Sequence, residues 1–269
     1  MKTRILVAAV GLPLLLLIVL VLPTVATAIL VAAMCVLAVY ELLINAGFCK
    51  HVRIFAYSSC MALTVCIWSW LELPKTLGMI AVLVYLCALF GEMLAAHTEL
   101  SFKTVCAAIF AGLVIPYLLS ALVRLRVMEN GKFFIIAAFV LTMVPDSGAY
   151  FVGRAFGKRK LCPVISPNKT VEGALGGVAC TVIAMVLYAL ILQFAFQFKV
   201  NYFFAVLYGI LGAGASILGD LVFSVVKRQA RIKDYGNLLP GHGGAYDRFD
   251  STSFAAPTVL VLLKLLEVF

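Results

Sequence analysis

Charged side chains are scarce in this chain of 269 residues: Asp, Glu, Lys and Arg together make up 12%. Hydrophobic residues make up 64%, and the mean hydropathy is +1.12. A soluble globular protein needs far more polar surface than this composition supplies. The shortage of charge therefore excludes a soluble fold and predicts an all-α, polytopic integral membrane protein.

Closely spaced cysteine pairs are also missing. The eight cysteines are scattered through apolar segments, and no C-x-x-C motif occurs. Disulfide frameworks and zinc sites use paired spacing, so the pattern favours neither. We interpret the cysteines as small buried hydrophobic side chains.

Apolar segments long enough to cross a bilayer recur along the chain. A membrane helix needs about 20 apolar residues. Divided at charged residues, proline and glycine, the sequence predicts about nine spans: 5–22, 24–47, 54–71, 76–96, 104–123, 133–153, 173–197, 202–223 and 253–268. The first is interpreted as an uncleaved span, because its 18 apolar residues exceed a usual signal-peptide core. The expected division is an N-terminal transmembrane region, 1–130, and a C-terminal region, 131–269, that carries the polar loops.

Positive charge is distributed unevenly between the two predicted sides of the membrane. With the N-terminus in the cytoplasm, fifteen of the 21 Lys and Arg residues fall on that side and five on the other. This asymmetry is typical of cytoplasmic loops. Two such loops, 154–172 and 224–252, are the richest in charge and face the same compartment, so they can contribute to one site. A basic loop that only sets orientation or touches anionic lipid is the simpler alternative.

An aspartate near the cytoplasmic end of the eighth predicted span favours a functional site. Gly212, Ser216 and Asp220 recur every fourth residue, so they form a stripe of small side chains on one helix face. Acidic residues at membrane depth are costly and are usually functional. Asp220 is therefore predicted to point into the protein. A purely structural ion pair of Asp220 with Lys227 or Arg228 is the alternative.

The segment "PGHGGAYDRFDS", residues 240–251, combines three glycines with two carboxylates, an arginine and a histidine. Glycine-rich loops can direct several backbone N–H groups at one anion. Carboxylates beside cations are the groups that phosphoryl or nucleotidyl transfer requires, since the acids hold Mg²⁺ and the cations neutralise phosphate oxygens. The combination predicts a phosphate-binding catalytic loop.

The other polar loop has a similar composition. "PDSGAYFVGRAFGKRKLCPVISPNKTVEG" places Asp146 and Tyr150 one helical turn apart and continues with a run of cations. "GRAFGK" is not a P-loop, because it is one residue short and no strand precedes it. "SPNKT" predicts a helix start, with Ser166 as the N-cap and Pro167 as the first helical residue. Gly173 and Gly177 then allow close packing of the seventh span.

Residues 224–251, "SVVKRQARIKDYGNLLPGHGGAYDRFDS", resemble the signature of the phosphatidate cytidylyltransferases, also called CDP-diacylglycerol synthases. The matched pattern is S-x-x-K-R-x4-K-D-x-G-x4-P-G-H-G-G-x-x-D-R-x-D-S. "DSGAYFVGRAFGK" and "SPNKTVEG" are similar to the family's other two cytoplasmic segments. The resemblance implies that CTP and phosphatidate react to give CDP-diacylglycerol and pyrophosphate.

The same resemblance implies roles for individual residues. Asp220 and Asp247 would bind Mg²⁺, with the number of metal ions left open. The catalytic set would comprise Asp220, Asp247, Lys227, Arg228, His242 and Arg248. Substrate would contact Asp146, Tyr150, Arg154, Lys158, Ser166, Lys169, Thr170, Glu172, Ser224, Lys233, Asp234, Gly243, Gly244 and Asp250.

Several of these roles have alternatives. His242 is either a general acid for the leaving pyrophosphate or, as its glycine neighbours favour, a positioning or phosphate-bonding residue. Ser166, Thr170 and Ser224 can donate to phosphate, but each also suits a helix cap or a packing position. Glu41 and Glu92 lie inside apolar spans without a partner nearby in sequence. Each is a functional candidate, but a structural hydrogen-bonding residue or a protein-facing pair is the favoured interpretation.

Two other functions fit part of the pattern. A CTP-dependent lipid kinase needs the same metal and cations and differs only in its product. A cation-coupled transporter would also combine many spans with buried acids, but it predicts internal repeats and binding groups at mid-membrane, which the sequence does not display. The expected partners are CTP, phosphatidate and membrane lipids, without nucleic acid, and a homodimer is left open. The expected location is a bacterial inner membrane with the site facing the cytoplasm.

Overall fold

The computed structural model describes residues 9, 11, 13–236 and 243–266. Seven helices in this part of the chain are long and apolar enough to cross a membrane. In chain order, α1 to α7 cover Thr24–Asn45, Val52–Leu71, Lys75–Ala95, Phe102–Val127, Gly131–Phe156, Val171–Phe196 and Tyr202–Gln229. A shorter apolar helix, α8, covers Thr252–Leu265. The strands β1, Lys160–Cys162, and β2, Ser166–Thr170, form an antiparallel hairpin between α5 and α6.

The helices confirm the predicted all-α, polytopic membrane fold. The seven long helices coincide with the second to eighth predicted spans, and α7 continues beyond its predicted end at residue 223 to Gln229. The ninth predicted span corresponds to α8, which has 14 residues. The first predicted span lies partly outside the described residues, and within it Leu17–Val21 is π-helical.

Local chemistry sets several helix boundaries. Pro23 and Pro74 immediately precede α1 and α3, where the missing N–H group of proline costs no helical hydrogen bond. The Ser101 hydroxyl caps α4 by accepting a hydrogen bond from the Thr104 N–H at 3.2 Å. The last turn of α1, Glu41–Asn45, is π-helical, as is Phe110–Val114 within α4.

The chain divides into two compact units. The first comprises Met1–Glu129 and Gln229–Phe249, and the second comprises Asn130–Arg228 and Asp250–Phe269. The functional division expected from the sequence, into 1–130 and 131–269, stays a prediction.

The cysteines depart in part from the sequence interpretation. Cys35, Cys49 and Cys66 are buried and free, and the thiols of Cys35 and Cys66 are 3.8 Å apart between α1 and α2. Three others, Cys60, Cys87 and Cys106, are exposed on membrane helices, so the prediction of burial is wrong for them. Because lipid is itself apolar, a small hydrophobic side chain on a membrane helix does not need burial in the protein.

Glycines bring α5 and α6 together in the second unit. A Cβ added to Gly177 would lie 2.6 Å from the Pro145 carbonyl oxygen, and one added to Gly148 would lie 2.9 Å from the Cys180 Cβ. Such contacts need residues without side chains on the facing surfaces. The predicted close packing of Gly173 and Gly177 is therefore confirmed. On α7, Gly212 and Ser216 are buried as the small-residue stripe predicted.

The segment "SPNKT" is not a helix start. Residues 166–170 form β2, in which Ser166 pairs with Cys162 and Thr170 pairs with Lys160. Thr170 is the N-cap of α6, and its hydroxyl accepts a hydrogen bond from the Gly173 N–H at 3.1 Å. The observed N-cap, Thr170, differs from the predicted one, Ser166, although both side chains offer a hydroxyl group. Because residues 166–170 pair with β1 as a strand, the helix begins only after Thr170.

We expect Gly177→Ala to destabilise the protein by about 1–3 kcal/mol, because the added methyl group meets a backbone carbonyl that cannot rotate away. The measurement is the thermal unfolding midpoint of the purified protein in detergent. The matched control is Gly214→Ala in α7, where a Cβ would meet nothing within 4 Å. Alanine favours a helix over glycine by about 1 kcal/mol, so the control midpoint should stay level or rise. Equal midpoints for the two variants would contradict the packing described for α5 and α6.

Candidate active site

An ion pair between β2 and α7 lies at the centre of the polar region of the second unit. The Lys169 ammonium contacts the Asp220 carboxylate, and the two side chains are 29% and 21% exposed. Asp220 therefore points into the protein, as the stripe on α7 predicts. Its ion-pair partner in this structure is Lys169, rather than the predicted alternatives Lys227 and Arg228.

A second ion pair joins the end of α7 to Asp250, which lies two residues before α8 begins. Lys227 Nζ lies 3.4 Å from Asp250 Oδ2, and both side chains are about one-tenth exposed or less. The other carboxylate oxygen, Asp250 Oδ1, accepts a hydrogen bond from the Ser251 N–H at 2.8 Å. Asp250 is thereby fixed by the backbone as well as by the lysine.

The two ion pairs belong to one electrostatic cluster. Burial lowers the pKa of Lys169, whereas the carboxylates of Asp146 and Asp250 act on that pKa in the opposite direction, and Lys227 lowers it further. We call the set Asp146, Lys169, Asp220, Lys227 and Asp250 the lysine–aspartate cluster. Its members come from α5, β2, α7 and the segment just before α8, so segments distant in sequence contribute to it.

Other predicted substrate residues of the second unit take part in local structure around the hairpin. The Glu172 carboxylate accepts hydrogen bonds from the backbone N–H groups of Lys158 and Arg159 at 3.0–3.2 Å. Arg228 Nε donates to the Ile165 carbonyl at 3.2 Å, which ties α7 to the hairpin. Glu172 and Thr170 thus shape the loop in this structure, and their predicted substrate contacts stay predictions.

Cations remain at the surface near the hairpin. Arg154, on the last turn of α5, is 3.3 Å from the Tyr150 hydroxyl one turn earlier. Lys158 is exposed, and Ser166 and Ser224 are partly exposed. These side chains are therefore at least partly accessible at the surface of the second unit.

Asp247 organises the described part of residues 234–248 in the first unit, a segment that we call the signature loop. Its Oδ2 atom accepts hydrogen bonds from the backbone N–H of Tyr235 at 2.8 Å and of Gly244 at 3.0 Å. Asp247 lies in the short 3₁₀ turn Tyr246–Arg248. The carboxylate therefore joins the two sides of the loop, 234–236 and 243–248.

Glu41, near the end of α1, contacts the loop that contains Asp247, and the sequence does not identify this partner. It is 2% exposed, and its two carboxylate oxygens accept hydrogen bonds from the N–H groups of Ala245 at 2.7 Å and Tyr246 at 2.9 Å. An acidic residue at membrane depth indicates that a polar partner exists. The partner is 204 residues away, however, so sequence proximity could not reveal it.

The predicted anion nest is partly filled by the protein itself. The three consecutive N–H groups of Gly244, Ala245 and Tyr246 donate to Asp247 and Glu41. Gly243 adopts a φ of +88°, a conformation that favours glycine. His242 lies outside the described residues. In this structure the described part of the nest thus binds internal carboxylates.

Beside this loop, Asn45, Asp234, Tyr235 and Gly236 line an open cavity of about 430 Å³. Lys233 and Asp234 are exposed at the surface, as is Arg248. The first unit thus offers charged side chains of both signs next to a polar cavity.

The predicted shared metal site stays a prediction. Asp220 belongs to the second unit and Asp247 to the first. Among residues 13–236 and 243–266, no group of three or more His, Cys, Asp or Glu side chains could hold a metal ion. A metal bound to this part of the chain would therefore need further oxygen donors.

Glu92 behaves as the sequence interpretation expects. Its Oε1 atom accepts a hydrogen bond from the Tyr57 hydroxyl at 3.1 Å and lies 3.4 Å from Arg53 Nη1. It is a structural acceptor between α2 and α3.

Comparison with known proteins gives the family. Residues 2–266 match the model of the cytidylyltransferase family. The chain is 46% identical over 168 residues to a protein of Bacillus subtilis named phosphatidate cytidylyltransferase, a match that covers 62% of this chain and 59% of that protein. Proteins of the same name from Staphylococcus haemolyticus and Staphylococcus aureus (strain COL) are 44% and 42% identical over 135 residues, half of each chain. The matches to these relatives thus span one half to three fifths of their length, whereas the family match covers nearly all of this chain: the chain belongs to the cytidylyltransferase family.

Proposed function

We propose that this protein transfers the cytidylyl group of CTP to phosphatidate, which yields CDP-diacylglycerol and pyrophosphate. The observation that carries the proposal is the lysine–aspartate cluster, in which two ammonium groups and three carboxylates interact with one another. The names of the relatives and the signature in residues 224–251 support the same reaction.

The reaction suits a site built from charge and alignment. A phosphatidate oxygen attacks the α-phosphorus of CTP, a new P–O bond forms, and the bond to the β-phosphate breaks so that pyrophosphate leaves. The nucleophile is already ionised at neutral pH, so no strong general base is required. The site has to align the two substrates and neutralise their negative charge.

The cations divide between the two substrates in this proposal. Lys169 and Arg154 are assigned to the phosphatidate head group, since one is in the cluster and the other is on the last turn of α5. The phosphates of CTP and the leaving pyrophosphate are assigned to Lys227, Arg228, Lys233 and Arg248. Asp146 and Asp250 support the cluster by interacting with its lysines.

Mg²⁺ is the proposed cofactor, with Asp220 and Asp247 as its protein ligands. The lysine–aspartate cluster has three carboxylates and two ammonium groups, a formal charge of −1, which by itself repels phosphate. A divalent cation reverses that sign. Carboxylate oxygens suit Mg²⁺, which usually takes one or two of them and completes its coordination with substrate phosphates and water. The two proposed protein ligands, Asp220 and Asp247, match this number of carboxylates.

The proposed location is the inner membrane of a bacterium, with the hairpin and the signature loop in the cytoplasm. The charge asymmetry of the sequence supports this orientation. CTP is a soluble cytoplasmic compound and phosphatidate is a membrane lipid, so a site at the cytoplasmic ends of membrane helices has access to both.

Isotope position distinguishes the proposed reaction from a lipid kinase. Purified protein incubated with phosphatidate and Mg²⁺ should transfer label from the α-phosphate of CTP into lipid and release label from the γ-phosphate as pyrophosphate. Thin-layer chromatography of the lipid and aqueous fractions measures both. Label from the γ-phosphate in the lipid fraction would instead establish the kinase.

Removing either proposed metal ligand should abolish turnover. We expect Asp220→Asn and Asp247→Asn each to lower kcat by at least about a hundredfold, because each loses a carboxylate that the charge-neutralising centre needs. The matched control is Glu129→Gln, which removes an exposed acidic charge elsewhere in the first unit. If a well-folded Asp220→Asn or Asp247→Asn enzyme kept more than roughly a tenth of the wild-type rate, a loss under about 1.4 kcal/mol, that residue would not be a metal ligand.

Thiol labelling tests the orientation. In a variant without native cysteines, Lys158→Cys and Lys233→Cys should react with a membrane-impermeant reagent only from the cytoplasmic side. Lys199→Cys, in the exposed connection between α6 and α7, should react only from the opposite side and serves as the matched control. The reverse pattern would invert the proposed topology.

A further inference from the structure

We propose that Glu41 is a positioning residue for the signature loop: its carboxylate, on membrane helix α1, holds the backbone of residues 243–246 and thereby sets the position of Asp247. The consequence for catalysis rests on the proposed function, whereas the structural contact does not. Neither the signature in residues 224–251 nor the polar segment 146–172 includes Glu41.

Both oxygens of the carboxylate are used. Oε1 accepts from the Ala245 N–H at 2.7 Å, and Oε2 accepts from the Tyr246 N–H at 2.9 Å. Hydrogen bonds to an ionised acceptor are roughly twice as strong as those between neutral groups. A glutamine in this place would offer one acceptor oxygen and would direct its NH₂ group at a backbone N–H. A carboxylate is therefore the side-chain group that satisfies both donors.

The loop is shaped to receive this carboxylate. A Cβ on Gly244 would lie 2.6 Å from Glu41 Oε2, and a Cβ on Gly236 would lie 3.1 Å from Glu41 Oε1. A side chain at Gly244 would thus displace the carboxylate, and one at Gly236 would crowd it. The two glycines lie on opposite sides of the loop, so the carboxylate approaches both sides of it.

Asp247 depends on the same short stretch of backbone. It accepts from the Gly244 N–H, while the next two N–H groups donate to Glu41. The rings of Tyr235 and Tyr246, which are both buried, contact each other with centroids 5.9 Å apart. Fixing residues 244–246 therefore fixes the Gly244 N–H, which is one of the backbone donors to Asp247, and loss of the Glu41 contact frees that donor to move.

Hydrogen exchange tests the contact independently of activity. In Glu41→Gln, the amides of Ala245 and Tyr246 should exchange at least about tenfold faster than in the wild type, because a hydrogen bond to each is weakened or lost. Amides in α2 should keep their protection, and the thermal midpoint should change little. The matched control is Glu92→Gln, since Glu92 is another glutamate of a membrane helix in the first unit but contacts Tyr57 and Arg53 instead of the loop. Its loop amides should exchange as in the wild type.

Kinetics test the positioning role. We expect Glu41→Gln to lower kcat roughly tenfold or more while the KM for CTP changes by less than about threefold, since a misplaced Asp247 impairs the reaction more than binding. Glu41→Asp, which keeps the charge on a shorter side chain, should recover part of the lost kcat. Glu92→Gln should retain wild-type kinetics.

Each outcome decides the proposal. Unchanged exchange at Ala245 and Tyr246 in Glu41→Gln would disprove the contact, and faster exchange with a wild-type kcat would disprove the positioning role. If Glu41→Gln does not fold, Gly244→Ala tests the same contact from the loop, because its methyl group displaces the carboxylate. Gly244→Ala should show the same faster amide exchange and the same loss of kcat as expected for Glu41→Gln. Wild-type exchange and kcat in Gly244→Ala would refute the proposal. If the wild type forms a product other than CDP-diacylglycerol, the proposed function fails, and exchange together with kcat for that product still decides the role of Glu41.

Discussion

A protein that uses lipid as its solvent must satisfy its membrane-embedded polar groups internally, because no water is available at that depth. The polar contacts of this chain follow that constraint. Asp220 contacts a lysine from the hairpin, Lys227 contacts Asp250, and Glu41 receives two backbone N–H groups. Each contact also ties a membrane helix to a residue that lies outside the membrane helices. Because a polar group on a membrane helix needs a partner, these side chains also hold the polar segments in place.

The two units use this chemistry in different ways. In the second unit, ammonium groups and carboxylates pair with one another, and one of the two pairs, Lys169 and Asp220, is partly exposed. In the first unit, carboxylates pair with backbone N–H groups, which determines the path of the chain. The first arrangement suits contact with phosphate, and the second suits holding a loop in one conformation. A nucleotidyl transfer requires both, since its catalysis rests on charge neutralisation and alignment.

The sequence predicts the membrane fold well because hydropathy acts over about 20 residues and each span is encoded locally. It also predicts the inward direction of Asp220, since the stripe of small residues lies on the same helix. It does not predict the hairpin, because residues 166–170 become a strand only through pairing with residues 160–162. Nor does it predict the partner of Glu41, which is supplied by a segment 204 residues later. The missed features are those in which two separate segments jointly determine the structure, whether the segments are close in sequence, as in the hairpin, or 204 residues apart.

The separation between Glu41 and its loop has a consequence for biogenesis. Synthesis at about 5–20 residues per second places roughly 10–40 seconds between the emergence of Glu41 and that of Ala245, which follows it by 204 residues. During that interval α1 has already left the ribosome, while the N–H groups that will receive its carboxylate do not yet exist. The Glu41 carboxylate therefore lacks these two partners until residues 245 and 246 have been made, so the contact between α1 and the loop forms only after α1 to α7 have all been synthesised.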